Sequence, residues 1–265
     1  MELEQVGIPV ADGEIRAEIA GDGSPVVMLH AGGLGAQMWD DQVEFADERA
    51  IVRYDARSHG RSSTAIADFR LEDDLLAVLD HLEIPKAALV GNSMGGATAL
   101  AFALRHPDRV DRLALAGPGV PPVEFHDPFI RAEHREQAAA IEAVDADRYI
   151  SSMLRMAVDG PHRGPGDVLG ATRERCREMF AATVRAHHTA TGAILEADVR
   201  SRLAEIDVPT LVVLGELEAD DLWRMARLLV DGMPDVRLEV IPGVGHMSGM
   251  EKPGEFNRLL RGFLR

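Results

Sequence analysis

The sequence predicts an α/β architecture: a mostly parallel sheet, interrupted in the middle of the chain by a run of helices. Three observations carry this. Short, almost wholly apolar runs recur, of the kind that fits strands buried on both faces of a parallel sheet. Segments with helical spacing separate them, and strand alternating with helix implies βαβ units. Between about residues 121 and 196 the alternation stops and only helical stretches remain.

The chain opens as a hairpin. Gln5–Val10 and Glu14–Ile19 flank Ala11-Asp12-Gly13, and Asp-Gly is a strong turn signal. Gly21-Asp22-Gly23 then breaks the chain before Pro25–His30, the first buried run. Ala50–Tyr54, Ala87–Val90, Arg112–Ala116, Thr210–Leu214 and Val236–Ile241 repeat the pattern. Leu71, Leu75, Leu76, Val78, Leu79 and Leu82 form one helical stripe between them. Ala97–Leu104 reads as a compact helix ended by His106-Pro107, Leu222–Val230 is a third, and Phe256–Leu264 closes the chain. The insertion contributes four helical stretches, Ile130–Val144, Asp147–Val158, Thr172–His188 and Ala190–Leu203, with a Gly/Pro-rich break at 160–166. It falls between the fourth and fifth buried runs, where it could lie over the ends of the sheet.

Composition bounds the function. At roughly 150 residues per domain, 265 residues suggest one large domain or two small ones. A chain of this length buries about 70–75% of its unfolded surface, so it needs neither disulfides nor a metal to fold. The 28 basic residues against 44 acidic ones leave a net charge of −16. Such a surface repels nucleic-acid phosphates and anionic membranes. The single cysteine, Cys176, cannot form an internal disulfide, and Met1-Glu2-Leu3-Glu4 lacks a signal-peptide pattern. A cytoplasmic protein is therefore expected. The expected partners are a small-molecule substrate and, at most, a second copy of the chain.

Gly91-Asn92-Ser93-Met94-Gly95 is Gly-x-Ser-x-Gly. The pentapeptide alone is weak, but it follows an apolar strand and opens a helix, the setting a nucleophile elbow requires. Ser93 there sits on a strained turn, and the glycines leave room where β-carbons would collide. A serine hydroxyl needs an adjacent base. Of ten histidines, His246 fits best, in a loop just after the last strand and on the sheet edge shared with Ser93. His81 and His106 belong to outer helices, while His187 and His188 lie in the insertion.

A carboxylate should orient the imidazole, and it is expected after Thr210–Leu214. Glu216, Glu218, Asp220 and Asp221 crowd that loop. Glu218 is preferred by its distance from the strand end, with Asp220 second. An oxyanion hole needs two backbone N–H groups. Met94, directly after the nucleophile, supplies one. Gly32, in His30-Ala31-Gly32-Gly33, supplies the other, with Gly33 as alternative.

Together, His30-Ala31-Gly32-Gly33, Tyr54-Asp55-Ala56-Arg57-Ser58-His59-Gly60-Arg61-Ser62, Gly91–Gly96 and Gly245-His246 with Glu251-Lys252-Pro253 resemble the α/β-hydrolase superfamily. The likeness is to small bacterial esterases and enol-lactonase-like members, and it covers nearly the whole chain outside the insertion. It implies a hydrolase core at 1–120 and 197–265 and a helical cap, or lid, at 121–196. The family usually has His-Gly where His30-Ala31 stands, Arg-Gly for Arg57-Ser58, and aspartate where Glu218 stands. A serine nucleophile separates the chain from the epoxide hydrolase and dehalogenase branches, which use aspartate there.

The expected function is hydrolysis of a carboxylic ester or lactone by Ser93, His246 and Glu218, with Gly32 and Met94 as oxyanion donors and no cofactor or metal. C–C bond hydrolysis or a ring-forming step would use the same groups. A non-catalytic binder on the same scaffold is the reading from outside enzymology. Phe125, Phe129, Met153, Met156, Met179 and Phe180 are candidate pocket residues. The insertion has 9 arginines against 12 acids between Gly119 and Glu196, so it advertises no anionic substrate. Asp55 and Arg57 are expected to shape their turn through charge-assisted hydrogen bonds, and Cys176 is expected to be inert.

Overall fold

The computed structural model of the chain describes residues 3–265. β1 (Glu4–Val10) and β2 (Gly13–Ala20) form the expected hairpin, in register from Glu4 opposite Ile19 to Val10 opposite Gly13. β3 (Pro25–Leu29), β4 (Ala50–Asp55), β5 (Ala87–Asn92), β6 (Val110–Ala116), β7 (Thr210–Gly215) and β8 (Val236–Ile241) follow. They make one eight-stranded sheet in the order β1-β2-β4-β3-β5-β6-β7-β8. β1 and β2 run antiparallel to their neighbours, and β3 to β8 are mutually parallel. Every residue of β5 and β7 is buried, which is why these strands read as unbroken apolar runs. β8 lies at the sheet edge, and its Arg237 and Val240 are exposed.

Helices cover both faces. α1 (Leu71–His81), α2 (Met94–Arg105) and α6 (Asp220–Gly232) pack on one face, where Leu75, Leu79, Phe102, Met225 and Leu229 are buried with the sheet. The other face holds a 3₁₀ segment, Ala36–Asp47, with α7 (Ser248–Glu251) and α8 (Pro253–Phe263). Trp39, Phe45, Phe256 and Leu260 fill that second core. The 3₁₀ segment has no counterpart in the sequence reading.

Between β6 and β7 lie α3 (Pro128–Glu142), α4 (Ala146–Leu154) and α5 (Gly170–His187). Asp127 caps α3 by accepting the Phe129 N–H at 2.8 Å, and Asp145 caps α4 by accepting that of Arg148 at 3.0 Å. α4 runs into a π-helical turn, Arg155–Asp159, stopped by Gly160 at φ +74°. Met153, Leu154, Cys176 and Phe180 of these helices merge with the second core, so the insertion is packed onto the sheet domain.

The helix expected over Ala190–Leu203 does not form. Thr191 and Gly192 N–H groups bond to Ala65 O at 3.1 and 3.2 Å, and Leu195 N–H bonds to Phe69 O at 2.8 Å. The segment thus runs extended beside residues 65–69, and only Arg200–Glu205 coils, as a 3₁₀ turn. Two threonines and a glycine make a poor helix there. A β-carbon at Gly192 would stand 2.0 Å from Ala67 O, so the close approach requires glycine.

Candidate active site

The carboxyl ends of the parallel strands carry the site. β3 and β5 are hydrogen-bonded neighbours, and the chain leaves them on opposite sides of the sheet, where α/β folds bind ligands. Ser93 follows β5 directly, at φ +54° and ψ −110°, a conformation L-residues rarely adopt. Its N–H donates to Ala116 O at 2.9 Å, and its carbonyl accepts from Ala97 N–H at 3.0 Å. Both neighbours, β6 and the first turn of α2, therefore hold the strained residue in place. A β-carbon on Gly91 would stand 2.4 Å from Gly95 O, and one on Gly95 would stand 2.1 Å from Leu29 O. The elbow cannot close with larger residues at either position.

His246 lies after β8 and Glu218 after β7. The two loops are tied by Leu217 N–H donating to Val244 O at 2.9 Å and Glu216 N–H donating to Ile241 O at 2.9 Å. His246 Nδ1 is 2.9 and 3.1 Å from the two Glu218 carboxylate oxygens. A carboxylate only accepts, so Nδ1 carries the proton and Nε2 keeps its lone pair. The His246 side chain is 14% exposed and that of Glu218 3%. Burial by itself would lower the imidazole pKa. The Glu218 charge and hydrogen bond, with the Glu251 charge behind them, outweigh it, and the pKa lies above the ordinary histidine value. Nε2 makes no hydrogen bond among the described residues, and His246 lines the same cavity as Ser93.

The other acids of the loop have different work. Asp220 is exposed at the start of α6, where its N–H donates to Asp127 at 3.1 Å. Asp221 is buried and accepts the His126 and Asp127 N–H groups, each at 2.8 Å, fastening the chain entering α3. Glu216 accepts Gly243 N–H at 2.8 Å.

A cavity of about 180 Å³ opens above Ser93, with Ala31, Gly32, Met94 and His246 in its wall. Gly33 is not in that wall. It has φ +78°, and a β-carbon there would stand 2.7 Å from the Phe180 ring. Gly33 therefore serves the packing of α5 against the sheet domain. Of the expected pocket residues, Phe125, Met153 and Met156 line the cavity. Phe129, Met179 and Phe180 do not: Phe129 lies under the Arg155 guanidinium at 4.7 Å, Met179 lines a separate groove, and Phe180 is fully buried.

Residues flagged for structural roles hold loops. Asp55 accepts Ala36 N–H at 2.8 Å and Arg61 N–H at 2.9 Å. Arg57 reaches away from its own turn, pairing with buried Asp74 (Nε to Oδ2, 3.1 Å) and with Asp12. His30 accepts Ala56 N–H on Nε2 at 2.8 Å, and burial holds its pKa down. His187 bonds Thr64 at 2.7 Å, joining α5 to the loop after β4 instead of reaching the cavity. Cys176 is fully buried, which pushes its thiol up to about 12.

Two features escaped the sequence reading. Gly117, just after β6, has φ +46°, and a β-carbon there would lie 2.7 Å from both Glu218 Oε1 and His246 Nδ1. A glycine immediately after a buried strand on the catalytic edge was the available signal. Glu251 accepts the Gly245 N–H at 3.0 Å and pairs with Arg163 from the insertion, Nη2 to Oε1 3.2 Å. It thereby joins the insertion to the His246 loop.

The sequence family described as the alpha/beta hydrolase fold matches residues 24–253. The chain is 27% identical to 3-oxoadipate enol-lactonase 2 of Acinetobacter baylyi, over 92% of this chain and 90% of that protein. It is 31% identical to a 2-hydroxy-6-oxo-6-phenylhexa-2,4-dienoate hydrolase of Comamonas testosteroni, over 97% and 93% respectively. Among solved structures, Est816, described as an N-acyl homoserine lactone degrading enzyme, superposes with a TM-score of 0.79 at 28% identity, covering 97% of this chain and 100% of its own. A thermophilic esterase from Thermogutta terrifontis gives 0.73 at 26%, covering 100% and 98%. The elbow, the sheet order and these likenesses agree, and the chain belongs to the α/β-hydrolase family as an enzyme with hydrolase activity.

Proposed function

We propose that this enzyme hydrolyses small carboxylic esters or lactones through an acyl-enzyme on Ser93. The observation that carries the reading is the Glu218–His246 pair at 2.9 Å, in the wall of the cavity that also receives Ser93 from its strained elbow. His246 Nε2 takes the Ser93 proton as Oγ attacks the carbonyl carbon. The carbonyl π electrons move to oxygen, and the Gly32 and Met94 N–H groups bind that oxyanion. One such donor is commonly worth about 3–4 kcal/mol. The tetrahedral intermediate collapses, the C–O bond to the alcohol breaks, and His246 protonates the leaving oxygen. Water, deprotonated by His246, then releases the acid and restores Ser93. Glu218 holds the tautomer and balances the imidazolium. Residues 121–196 act as a cap over this site.

The Acinetobacter enol-lactonase and Est816 support the ester and lactone class by their names. A second reading, hydrolysis of a C–C bond by the same residues, draws on the 31% identity to the Comamonas dienoate hydrolase. Ser93→Ala protein should keep its fold and lose hydrolysis of p-nitrophenyl hexanoate, along with covalent labelling by a fluorophosphonate. Undiminished turnover in that variant refutes the assignment.

A further inference from the structure

Among the described residues, the wall of the cavity beside Ser93 holds no lysine or arginine to receive a substrate carboxylate. Its wall holds five thioethers, Met94, Met153, Met156, Met225 and Met247, among other aliphatic, aromatic and backbone groups. The ionisable side chains in it are Glu218 and His246, which pair with each other. The two arginines of the adjoining segment of the insertion are engaged elsewhere. Arg155 donates to Gly160 O at 2.6 Å and Arg163 O at 3.0 Å and lies over the Phe129 ring. Arg163 is committed to Glu251 and to the Val158 and Asp159 carbonyls.

We infer that the enzyme selects an uncharged, apolar acyl group of about six carbons and rejects acyl groups ending in a carboxylate. This rests on the ester-hydrolase reading of Ser93 and adds the substrate class to it. A carboxylate drawn into the cavity would lose its water, find no cation, and meet the negative charge of Glu218, which is why burying it is unfavourable. The size follows from the volume. A dry cavity near 150 Å³ takes a benzene ring, so about 180 Å³ admits a six-carbon chain with little to spare. Unbranched methionines adapt their rotamers to the occupant, so the wall discriminates by charge more than by shape.

The test compares two esters of equal length, p-nitrophenyl hexanoate and mono-p-nitrophenyl adipate, on the full-length wild-type enzyme. The kcat/KM for the adipate should be roughly 10²–10³-fold lower, the penalty for an unpaired buried charge. Values within tenfold of each other, or a preference for the adipate, overturn the inference. Lengthening the neutral acyl chain from six to twelve carbons should lower kcat/KM by at least tenfold, and a rise overturns the size limit. If neither ester is hydrolysed, the ester-hydrolase reading fails on its own. Calorimetric titration of methyl hexanoate and monomethyl adipate into Ser93→Ala protein then decides the inference separately. Tighter binding of the neutral ester supports it, and equal or tighter binding of the adipate ends it.

Discussion

Gly117→Ala tests whether the close approach behind the His246–Glu218 pair sets the geometry of catalysis. A β-carbon at Gly117 would stand 2.7 Å from Glu218 Oε1, 2.7 Å from His246 Nδ1 and 2.8 Å from His246 Cε1, whereas ordinary contact begins near 3.4 Å. The ring and the carboxylate must each retreat by about 0.7 Å, or the strand end must shift by as much. Misplacement of a catalytic group by about 1 Å can cost 10²-fold in rate, so kcat should fall roughly 10- to 100-fold. The backbone adds its own cost, because φ +46° disfavours alanine by about 1–2 kcal/mol. That corresponds to a Tm lower by roughly 2–8 °C for a domain of this size. The assay is p-nitrophenyl hexanoate hydrolysis across pH, run beside thermal denaturation. A longer Glu218–His246 contact also weakens what raises the imidazole pKa, so the acid limb of kcat/KM should move to lower pH. A kcat within twofold of wild type, in protein of normal Tm, would refute the reasoning.

Other outcomes follow from the same geometry. Glu218→Gln should lower kcat by about 10⁴, as loss of the orienting acid does in serine hydrolases, whereas Asp220→Asn should leave it within a few-fold; reversal of the two would move the acid to Asp220. His246 must be neutral to act as base, so kcat/KM should rise with pH through its pKa, with a midpoint above the ordinary histidine value, read from a pH–rate profile. Glu251→Gln removes the weaker of the two charges that raise that pKa and should move the midpoint down slightly. The same variant breaks the buried pair with Arg163 and should cost up to about 3–5 kcal/mol in denaturant unfolding. His59 is buried beside His30 and its pKa is pushed down to about 3, burial being the main cause. The unfolded chain binds this proton below about pH 6.5 and the folded chain does not, so stability should fall on acidification from there toward pH 3, by on the order of a few kcal/mol. His59→Asn should flatten that part of a Tm-against-pH curve, and an unchanged slope would show that other groups set it.

The sequence by itself determined the frame. Six apolar runs read as strands, and each forms within one or two residues of its expected start, β6 slightly earlier than Arg112; β8, at the sheet edge, is only partly covered. The elbow was legible because its requirements are local: a strand, a strained serine, glycines at 91 and 95, and a helix. His246 is expected from its place after the last strand, and the structure sets its Nδ1 against Glu218. What only the tertiary structure decided depends on side chains meeting across long sequence separations. The loop at 216–221 offers four carboxylates of similar chemistry, and the tie between Leu217 and Val244 brings Glu218 to the imidazole while Asp221 turns to the insertion. Gly32 and Gly33 are indistinguishable in sequence, and only the Phe180 ring of α5 gives Gly33 a packing role. Phe180 and Met179 sit at helical spacing that fits core and cavity alike. Residues 191–195 take their conformation from partners at 65–69, more than 120 positions away, and no local propensity encodes such a pairing. Gly117 likewise owes its importance to two side chains from other loops, which the chain brings together only when the sheet closes.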